Sequence, residues 1–223
     1  IGLHHFKAIY AQNASSAENF RKVLGPKAMI DGIPNFKSMV KLPNTDPVLV
    51  SRFDHKNTVL AASTHEGEDV IILSAFSKLA AKDKALKLII APRHPDRCAD
   101  IFKIAQDMGF TPKPLNDPSE TNIYIVEQLG QLPQLYALSA ATFVGGSLVP
   151  GIGGHTPYEP IRAESAIITG EFTNNFFSEY AALNDATACQ ITDPETLRQA
   201  FAKALENPSQ YANNARAILP PVE

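Results

Sequence analysis

Short apolar runs alternate with longer amphipathic runs along most of the chain, a pattern typical of strand–helix–strand units around a parallel sheet. The predicted strands cover residues 8–11, 58–62, 86–91, 123–126, 142–145, 166–169 and 188–191. The predicted helices cover residues 16–24, 69–81, 96–108, 132–139, 158–164, 175–183, 194–206 and 210–218. The pattern therefore predicts an α/β fold with a parallel sheet.

A glycine-rich stretch follows one of these strands and precedes a predicted helix. It reads FVGGSLVPGIGGHTPYEP over residues 143–160 and holds five of the chain's 12 glycines. Ligands of open α/β sheets bind beyond the carboxyl ends of strands, where glycines let backbone N–H groups approach and a helix N-terminus favours an anion. The stretch predicts a phosphate-bearing ligand at residues 145–157, with a plain surface loop as the alternative.

Three familiar motifs fail in this stretch. Ile152 and Gly153 stand where the phosphate loop of an ATPase needs Lys and Ser or Thr. Thr156 stands where a dinucleotide fingerprint needs glycine, and Val149 where the nucleophile elbow of a hydrolase needs its last glycine. These departures argue against an ATPase, a nicotinamide dehydrogenase and a serine hydrolase.

Polar residues also follow two other predicted strands. The segment STHEGED, residues 63–69, lacks the second histidine of a zinc protease helix, and a capping box headed by Thr64 is the plainer interpretation. The segment APRHPDR, residues 91–97, places Arg93 and His94 where they could bind an anion, with a surface ion pair of Arg93 as the alternative. Three polar segments after three strands favour a shared site.

Composition narrows the function classes. The chain of 223 residues is 44% hydrophobic and 19% charged with a net charge of −3, and it has no basic patch with interleaved aromatic residues, so a nucleic-acid partner is not expected. No signal peptide and no apolar run long enough to span a membrane occurs, and the chain itself is expected to be soluble. Cys98 and Cys189 are predicted to be buried free thiols rather than a disulfide.

The segments ASTHEGE, APRHPDR and FVGGSLVPGIGGHTPYEP together resemble one family, the 3-deoxy-D-manno-octulosonic acid (Kdo) transferases of lipopolysaccharide and lipid A biosynthesis. The resemblance extends over nearly the whole chain. It implies a GT-B glycosyltransferase, in which an N-terminal domain binds the acceptor and a C-terminal Rossmann-like domain binds the nucleotide-sugar. This chain is then expected to be the C-terminal half, which binds CMP-Kdo.

The same resemblance implies a division of the chain. Residues 1–31 match the last strand and helix of the acceptor domain, residues 32–37 the linker, and residues 38–223 the CMP-Kdo-binding domain. Because the chain begins at Ile1 inside an apolar run, most of the acceptor domain is expected to be missing. The family's glutamate general base lies in that domain, so no catalytic residue is expected here. The chain alone is expected to bind CMP or CMP-Kdo without transferring Kdo.

Site residues follow from the resemblance position by position. The implied CMP contacts are Pro92, Arg93, Leu129, Gly130, Gln131, Thr156, Pro157, Tyr158 and Glu159. Among them, Arg93 is expected on the phosphate and Glu159 on the ribose hydroxyls. Candidate contacts with Kdo or phosphate are His65, Glu66, His94, Gly145, Gly146, Ser147, Gly154, His155 and Asn175. No metal and no cofactor is implied.

Some positions depart from the family pattern. Gln131 replaces the glutamate of a Met-Gly-Glu turn, and Thr156 replaces the asparagine of an Asn-Pro-Leu-Glu segment. The family's Gly-Pro-His-Thr-Phe-Asn-Phe is GEFTNNF here, residues 170–176. These departures leave open which side chains contact the sugar.

The implied partners are CMP-Kdo and, through the missing domain, a lipid A precursor. The implied location is the cytoplasmic side of the bacterial inner membrane, with membrane contact only through the missing part. Two other classes stay open: a GT-B transferase or epimerase with a UDP-sugar donor, and a non-catalytic nucleotide-binding module.

Overall fold

The computed structural model describes residues 9–11, 14–25, 29–32 and 42–218, which form one unit before residue 33 and another over residues 42–218. In the first unit, strand β1 (Ile9–Ala11) pairs in parallel with β2 (Ile30–Gly32), and helix α1 (Ala14–Leu24) connects them. The predicted strand and helix are both present. Residue 8 of the predicted strand and residues 33–37 of the predicted linker lie outside the described residues.

The second unit contains a parallel sheet of seven described strands. They are β3 (Thr58–Thr64), β4 (Lys87–Pro92), β5 (Lys113–Pro114), β6 (Ile123–Ile125), β7 (Ala141–Val144), β8 (Ala166–Thr169) and β9 (Cys189–Ile191). Their order across the sheet is β5-β6-β4-β3-β7-β8-β9, and every described pairing is parallel.

Helices connect these strands and cover the sheet. They are α2 (Pro47–Arg52), α3 (Glu68–Ala80), α4 (Cys98–Asp107), α5 (Leu132–Tyr136), α6 (Tyr158–Arg162), α7 (Phe177–Asp185), α8 (Leu197–Glu206) and α9 (Pro208–Arg216). Within the described part of the chain, no helix combines the length and apolar character needed to cross a membrane.

Alternate residues of each central strand enter opposite layers of the core. Val59 and Ala61 of β3 pack in one apolar cluster with residues of α3, α4 and α8, whereas Leu60 and Ala62 pack in another with residues of α2 and α5. A parallel strand buried on both faces has this uninterrupted apolar character. Since all four β3 residues are at most 1% exposed, the sheet fixes the positions of the segments that follow it.

The differences from the predicted elements are local. Strand β3 extends two residues beyond Ala62, to Thr64, with an irregularity in its pairing with β4 between these two positions. Helices α5 and α6 are each five residues long, so both end earlier than predicted. Helix α2 was not predicted; the Asp46 carboxylate caps it by accepting a hydrogen bond from the Val48 N–H (2.8 Å), and Pro47 occupies the first position.

Candidate functional site

The carboxyl ends of β3 and β7 lie side by side at the centre of the sheet. The strands that follow β3 in the chain, β4 and β6, extend to one side, whereas β8 and β9 extend to the other side of β7. Such a reversal of strand order is a topological switch point, where open α/β sheets bind ligands. The three polar segments of the sequence therefore follow β3, its neighbour β4, and β7 at one edge, which we call the carboxyl-edge site (residues 63–69, 92–97 and 145–159).

Gly145 allows the loop after β7 to approach β3. A Cβ atom built on this residue would lie 2.4 Å from the carbonyl oxygen of Ser63 and 2.9 Å from that of Ala62. The Gly145 N–H donates to the Ala62 carbonyl at 2.8 Å, and Ser63 adopts a left-handed backbone with φ +54°. Backbone from the two strands is thus in direct contact here, and only glycine fits.

A buried carboxylate, that of Glu68, organises the loop after β7. Glu68 is the first residue of α3 and is 0% exposed. Its Oε1 accepts hydrogen bonds from the N–H groups of Ser147 and Leu148, both at 2.9 Å. Its Oε2 accepts from the N–H groups of Gly146 (2.8 Å) and His65 (2.9 Å). One negative charge therefore joins the segments after β3 and β7 through four backbone donors.

The N–H groups of the glycine loop have acceptors within the protein. The N–H groups of Gly145, Gly146 and Ser147 were expected to contact an external anion, but the first donates to Ala62 and the other two to Glu68. The Gly154 N–H likewise donates to the Gly146 carbonyl at 2.7 Å. These four donors build the loop, and contact of these residues with Kdo or phosphate stays a prediction.

The predicted capping box headed by Thr64 is not formed. The Thr64 hydroxyl donates to the Asp69 carboxylate at 2.6 Å instead of capping the backbone near Gly67. The Glu68 side chain instead accepts the His65 N–H, and the N-cap residue of α3, Gly67, has no side-chain cap. Glu66, the glutamate singled out from the sequence, is exposed.

Three histidines meet at the site. The Nε2 atoms of His65 and His155 are 2.8 Å apart, with the two rings nearly parallel (15°). His94 approaches His65 edge-on, with ring centroids 6.0 Å apart. A Cβ at Gly146 would lie 3.3 Å from both paired rings, so this glycine gives them room. Within the described ranges, no group of three or more His, Cys, Asp or Glu residues is arranged to hold a metal ion.

Two arginines after β4 have different surroundings. The Arg97 guanidinium pairs with the buried Asp69 carboxylate and donates to the Thr64 carbonyl at 3.0 Å. Burial raises the pKa of Asp69, although the bonds from Thr64 and Arg97 act in the opposite direction. The Arg93 N–H also donates to the Thr64 carbonyl (3.0 Å), but its side chain is exposed and forms no salt bridge with any residue in the described ranges. Arg97 is therefore structural, and Arg93 is available to a ligand.

Asn175 holds the loop from outside. Its side-chain amide donates to the Ile152 carbonyl (2.8 Å), and its backbone N–H donates to the Gly153 carbonyl (2.9 Å). The Tyr180 hydroxyl donates to the His155 carbonyl at 2.9 Å. Of the candidate contacts named from the sequence, Asn175 thus has a scaffold role in this structure.

The segment after the loop leads into α6. The Thr156 hydroxyl accepts from the Tyr158 N–H at 3.4 Å, and the Tyr158 hydroxyl donates to Glu179 at 3.2 Å. Pro157 is buried, whereas Glu159 is half-buried in the only full turn of α6. Burial, with the Glu159 carboxylate nearby, raises the pKa of Tyr136 above its usual range.

The remaining predicted contacts lie at the ends of β4 and β6. Pro92 is the buried last residue of β4, paired with Thr64. Leu129, Gly130 and Gln131 lie between β6 and α5; Leu129 is 69% exposed, and Gly130 has φ +84°. These positions follow the carboxyl ends of their strands, and their contact with CMP stays a prediction.

A cavity of about 530 Å³ lies at the opposite, amino end of the strands. Arg52 and Lys87 line it, but Arg52 donates to the Leu115 carbonyl (2.8 Å) and Lys87 pairs with Glu120 (2.9 Å). Two of the three cations that line this cavity are therefore engaged within the protein, and Lys84 is the exposed third.

Comparison with known proteins gives the family. A 3-deoxy-D-manno-octulosonic acid transferase of Haemophilus influenzae is 36% identical over 181 residues, which are 75% of this chain and 41% of that protein. A probable mitochondrial 3-deoxy-D-manno-octulosonic acid transferase of Arabidopsis thaliana is 32% identical over 166 residues, 71% of this chain and 37% of that protein. The chain is a homologue of the Kdo transferases. It spans less than half the length of these two relatives, and no family model matches it.

A solved structure of a CMP-Kdo binding domain is similar to most of this chain. The crystal structure of the C-terminal CMP-Kdo binding domain of WaaA from Acinetobacter baumannii superposes with a TM-score of 0.70 and 28% identity. The match covers 77% of this chain and 92% of that domain. The predicted family and the predicted Rossmann-like fold of a GT-B donor half are confirmed.

Proposed function

We propose that residues 38–223 bind CMP-Kdo and form the donor half of a transferase that moves Kdo to a lipid A precursor. The observation that carries this proposal is the similarity to nearly the whole of a CMP-Kdo binding domain. The carboxyl-edge site supports it, since three segments converge there at the switch point of the sheet.

The proposed roles follow from position and charge. Arg93 binds the CMP phosphate, because its guanidinium is exposed beside the site and can make bidentate contacts. Glu159 holds the ribose hydroxyls at the start of α6. Residues 129–131 line the cytidine pocket, and Thr156 to Tyr158 complete the wall between phosphate and ribose.

We also propose which segments of the chain belong to each domain of the transferase. Residues 1–31 are the end of the acceptor domain, residues 32–37 are the linker, and the rest of the acceptor domain supplies the general base. The chain then binds the donor but does not turn it over. The acceptor domain binds the lipid A precursor and makes the contact with the cytoplasmic side of the inner membrane.

In this mechanism the acceptor hydroxyl attacks the anomeric carbon of Kdo while CMP leaves, with inversion and an oxocarbenium-like transition state. Negative charge grows on the departing phosphate. The hydrogen bond from the Arg93 backbone N–H to the Thr64 carbonyl fixes the backbone here, and the exposed guanidinium would stabilise that charge. Loss of a donor that contacts such a growing charge costs about 2.7–4 kcal/mol.

A UDP-sugar donor site and a non-catalytic module are less favoured, because the relatives at 36% and 32% identity are named Kdo transferases. Calorimetric titration with CMP, UMP, UDP and NAD tests the proposal. We expect selective binding of CMP, weakened by Arg93→Ala and by Glu159→Ala but not by Lys84→Ala, which removes an exposed cation at the other end of the sheet. A preference for UDP, or equal effects of Arg93→Ala and Lys84→Ala, would contradict it.

A further inference from the structure

His65 and His155 form a pair that connects the two sides of the topological switch. His65 follows β3, and His155 ends the loop that follows β7. An Nε2–Nε2 separation of 2.8 Å is a hydrogen-bond distance, so one nitrogen must carry a proton and the other must accept it. The two rings therefore share one proton across the gap.

This geometry limits the charge that the pair can hold. A neutral pair carries one proton between the Nε2 atoms and a second on the Nδ1 of the accepting ring. One further proton, on the remaining Nδ1, gives a single positive charge and leaves the shared bond intact. A doubly charged pair would place two N–H donors against each other, so the rings would have to separate. The pair titrates as one unit with one accessible charge.

The surroundings of His65 disfavour its charged form. Burial lowers the pKa of His65; the Glu68 carboxylate opposes this shift, and His94, Arg97 and Arg93 add to it. On the α7 side, Tyr180 donates to the His155 carbonyl, which fixes the backbone but adds no charge. A negative charge placed beside Arg93 would offset its guanidinium charge and favour the protonated pair.

We propose that the His65–His155 pair takes up one proton from solvent when an anionic ligand fills the carboxyl-edge site. The proposal rests on the proposed function, because the anion is the phosphate or sugar carboxylate of the CMP-Kdo donor. The pair thereby gives the donor a matching positive charge held jointly by the segments after β3 and β7. A CMP-sugar that lacks the carboxylate has one negative charge fewer and recruits less of this proton, so among CMP-sugars the pair also favours an acidic sugar.

Calorimetry of CMP binding at pH 7.5 in two buffers of different ionisation enthalpy measures the proton uptake. The second pKa of a phosphate monoester is about 6, so CMP itself releases few protons at this pH. We expect net uptake approaching one proton per CMP, and affinity that weakens by up to about tenfold per pH unit as the pH rises further. In His155→Gln the uptake should vanish and the affinity should become independent of pH. His55→Gln, a histidine at the amino end of the sheet, is the matched control and should retain the uptake.

Imidazole ¹⁵N NMR of the unsubstituted chain gives a reading that needs no variant to fold. We expect a scalar coupling between the two Nε2 nuclei in the empty protein, and ¹⁵N shifts of a protonated imidazole after CMP is added. CMP binding without proton uptake, or with unchanged imidazole shifts, would overturn this inference and leave the proposed function intact. No CMP binding by the wild type would overturn both.

Discussion

Replacing Glu68 with glutamine tests whether one buried carboxylate organises the site. The amide oxygen of glutamine can still accept from Ser147 and Leu148. The amide nitrogen would then face the N–H groups of Gly146 and His65, which are both donors. The substitution keeps the volume of the side chain and changes only its charge and its hydrogen bonds.

The expected loss of stability follows from two broken bonds. A hydrogen bond to a charged group contributes about 1.5–3 kcal/mol, so two lost bonds predict about 3–6 kcal/mol. A domain of this size has a total stability of about 5–15 kcal/mol, so Glu68→Gln should remove a large part of it. The matched control is Glu66→Gln in the same segment; because Glu66 is exposed, we expect a change within about 0.5 kcal/mol.

Urea unfolding followed by circular dichroism measures both variants, with the midpoint lowered and the slope unchanged for a pure stability effect. Amide hydrogen exchange adds a local measurement: exchange at Gly146, Ser147 and Leu148 should be slow in the wild type and fast in Glu68→Gln. Destabilisation below about 1 kcal/mol, or equal effects of Glu68→Gln and Glu66→Gln, would refute the argument.

Three further predictions concern other groups. Gly145→Ala should lower the unfolding midpoint strongly, since its Cβ would lie 2.4 Å from the Ser63 carbonyl oxygen. Gly130→Ala has no atom within 4 Å of the new Cβ and should cost only the about 1–2 kcal/mol of its left-handed backbone, so similar losses would count against the close approach at Gly145. Burial lowers the pKa of His65 from 6.5, so at falling pH the unfolded chain binds a proton at His65 before the folded chain does. The free energy of unfolding should therefore fall as the pH drops through 6.5, and this fall should be smaller in His65→Gln. Thermal melts of both proteins at pH 7.5 and 5.5 measure the difference. Burial raises the pKa of the Cys189 thiol to about 12, so this thiol should not react with a thiol reagent at pH 8 until urea unfolds the chain. Rapid labelling of Cys189 in the folded protein would argue against its burial.

The sheet could be predicted because its strands are short, fully apolar runs. Strand β8 lies at the predicted residues 166–169, and the other central strands differ by one or two residues at their ends. Helix α2 was missed because two of its valines, Val48 and Val50, are 62% and 54% exposed, so no apolar face identifies it. Strand β5 has two residues and is defined by its backbone pairing with β6.

The location of the site was predicted, but the hydrogen bonds within it were not. His65, His94 and His155 were recognised from segments that follow three strands, and they meet in the structure. Glu68 was missed because its partners are 78 to 80 residues away in sequence, at Gly146, Ser147 and Leu148. A glycine-rich loop indicates that N–H groups need an acceptor, but it does not reveal whether that acceptor is a ligand or a side chain. The predicted free thiols are present, with both cysteines buried.

The most direct test of the account is amide NMR mapping of the chain during titration with CMP. We expect the largest shift changes at residues 63–65, 92–97, 129–131 and 145–159, around the carboxyl ends of β3, β4, β6 and β7. Shifts centred instead on Arg52, Lys84 and Lys87 would place the ligand in the cavity at the amino end of the sheet. That result, or no shifts with CMP at saturating concentration, would contradict the assignment of this domain as a CMP-Kdo donor site.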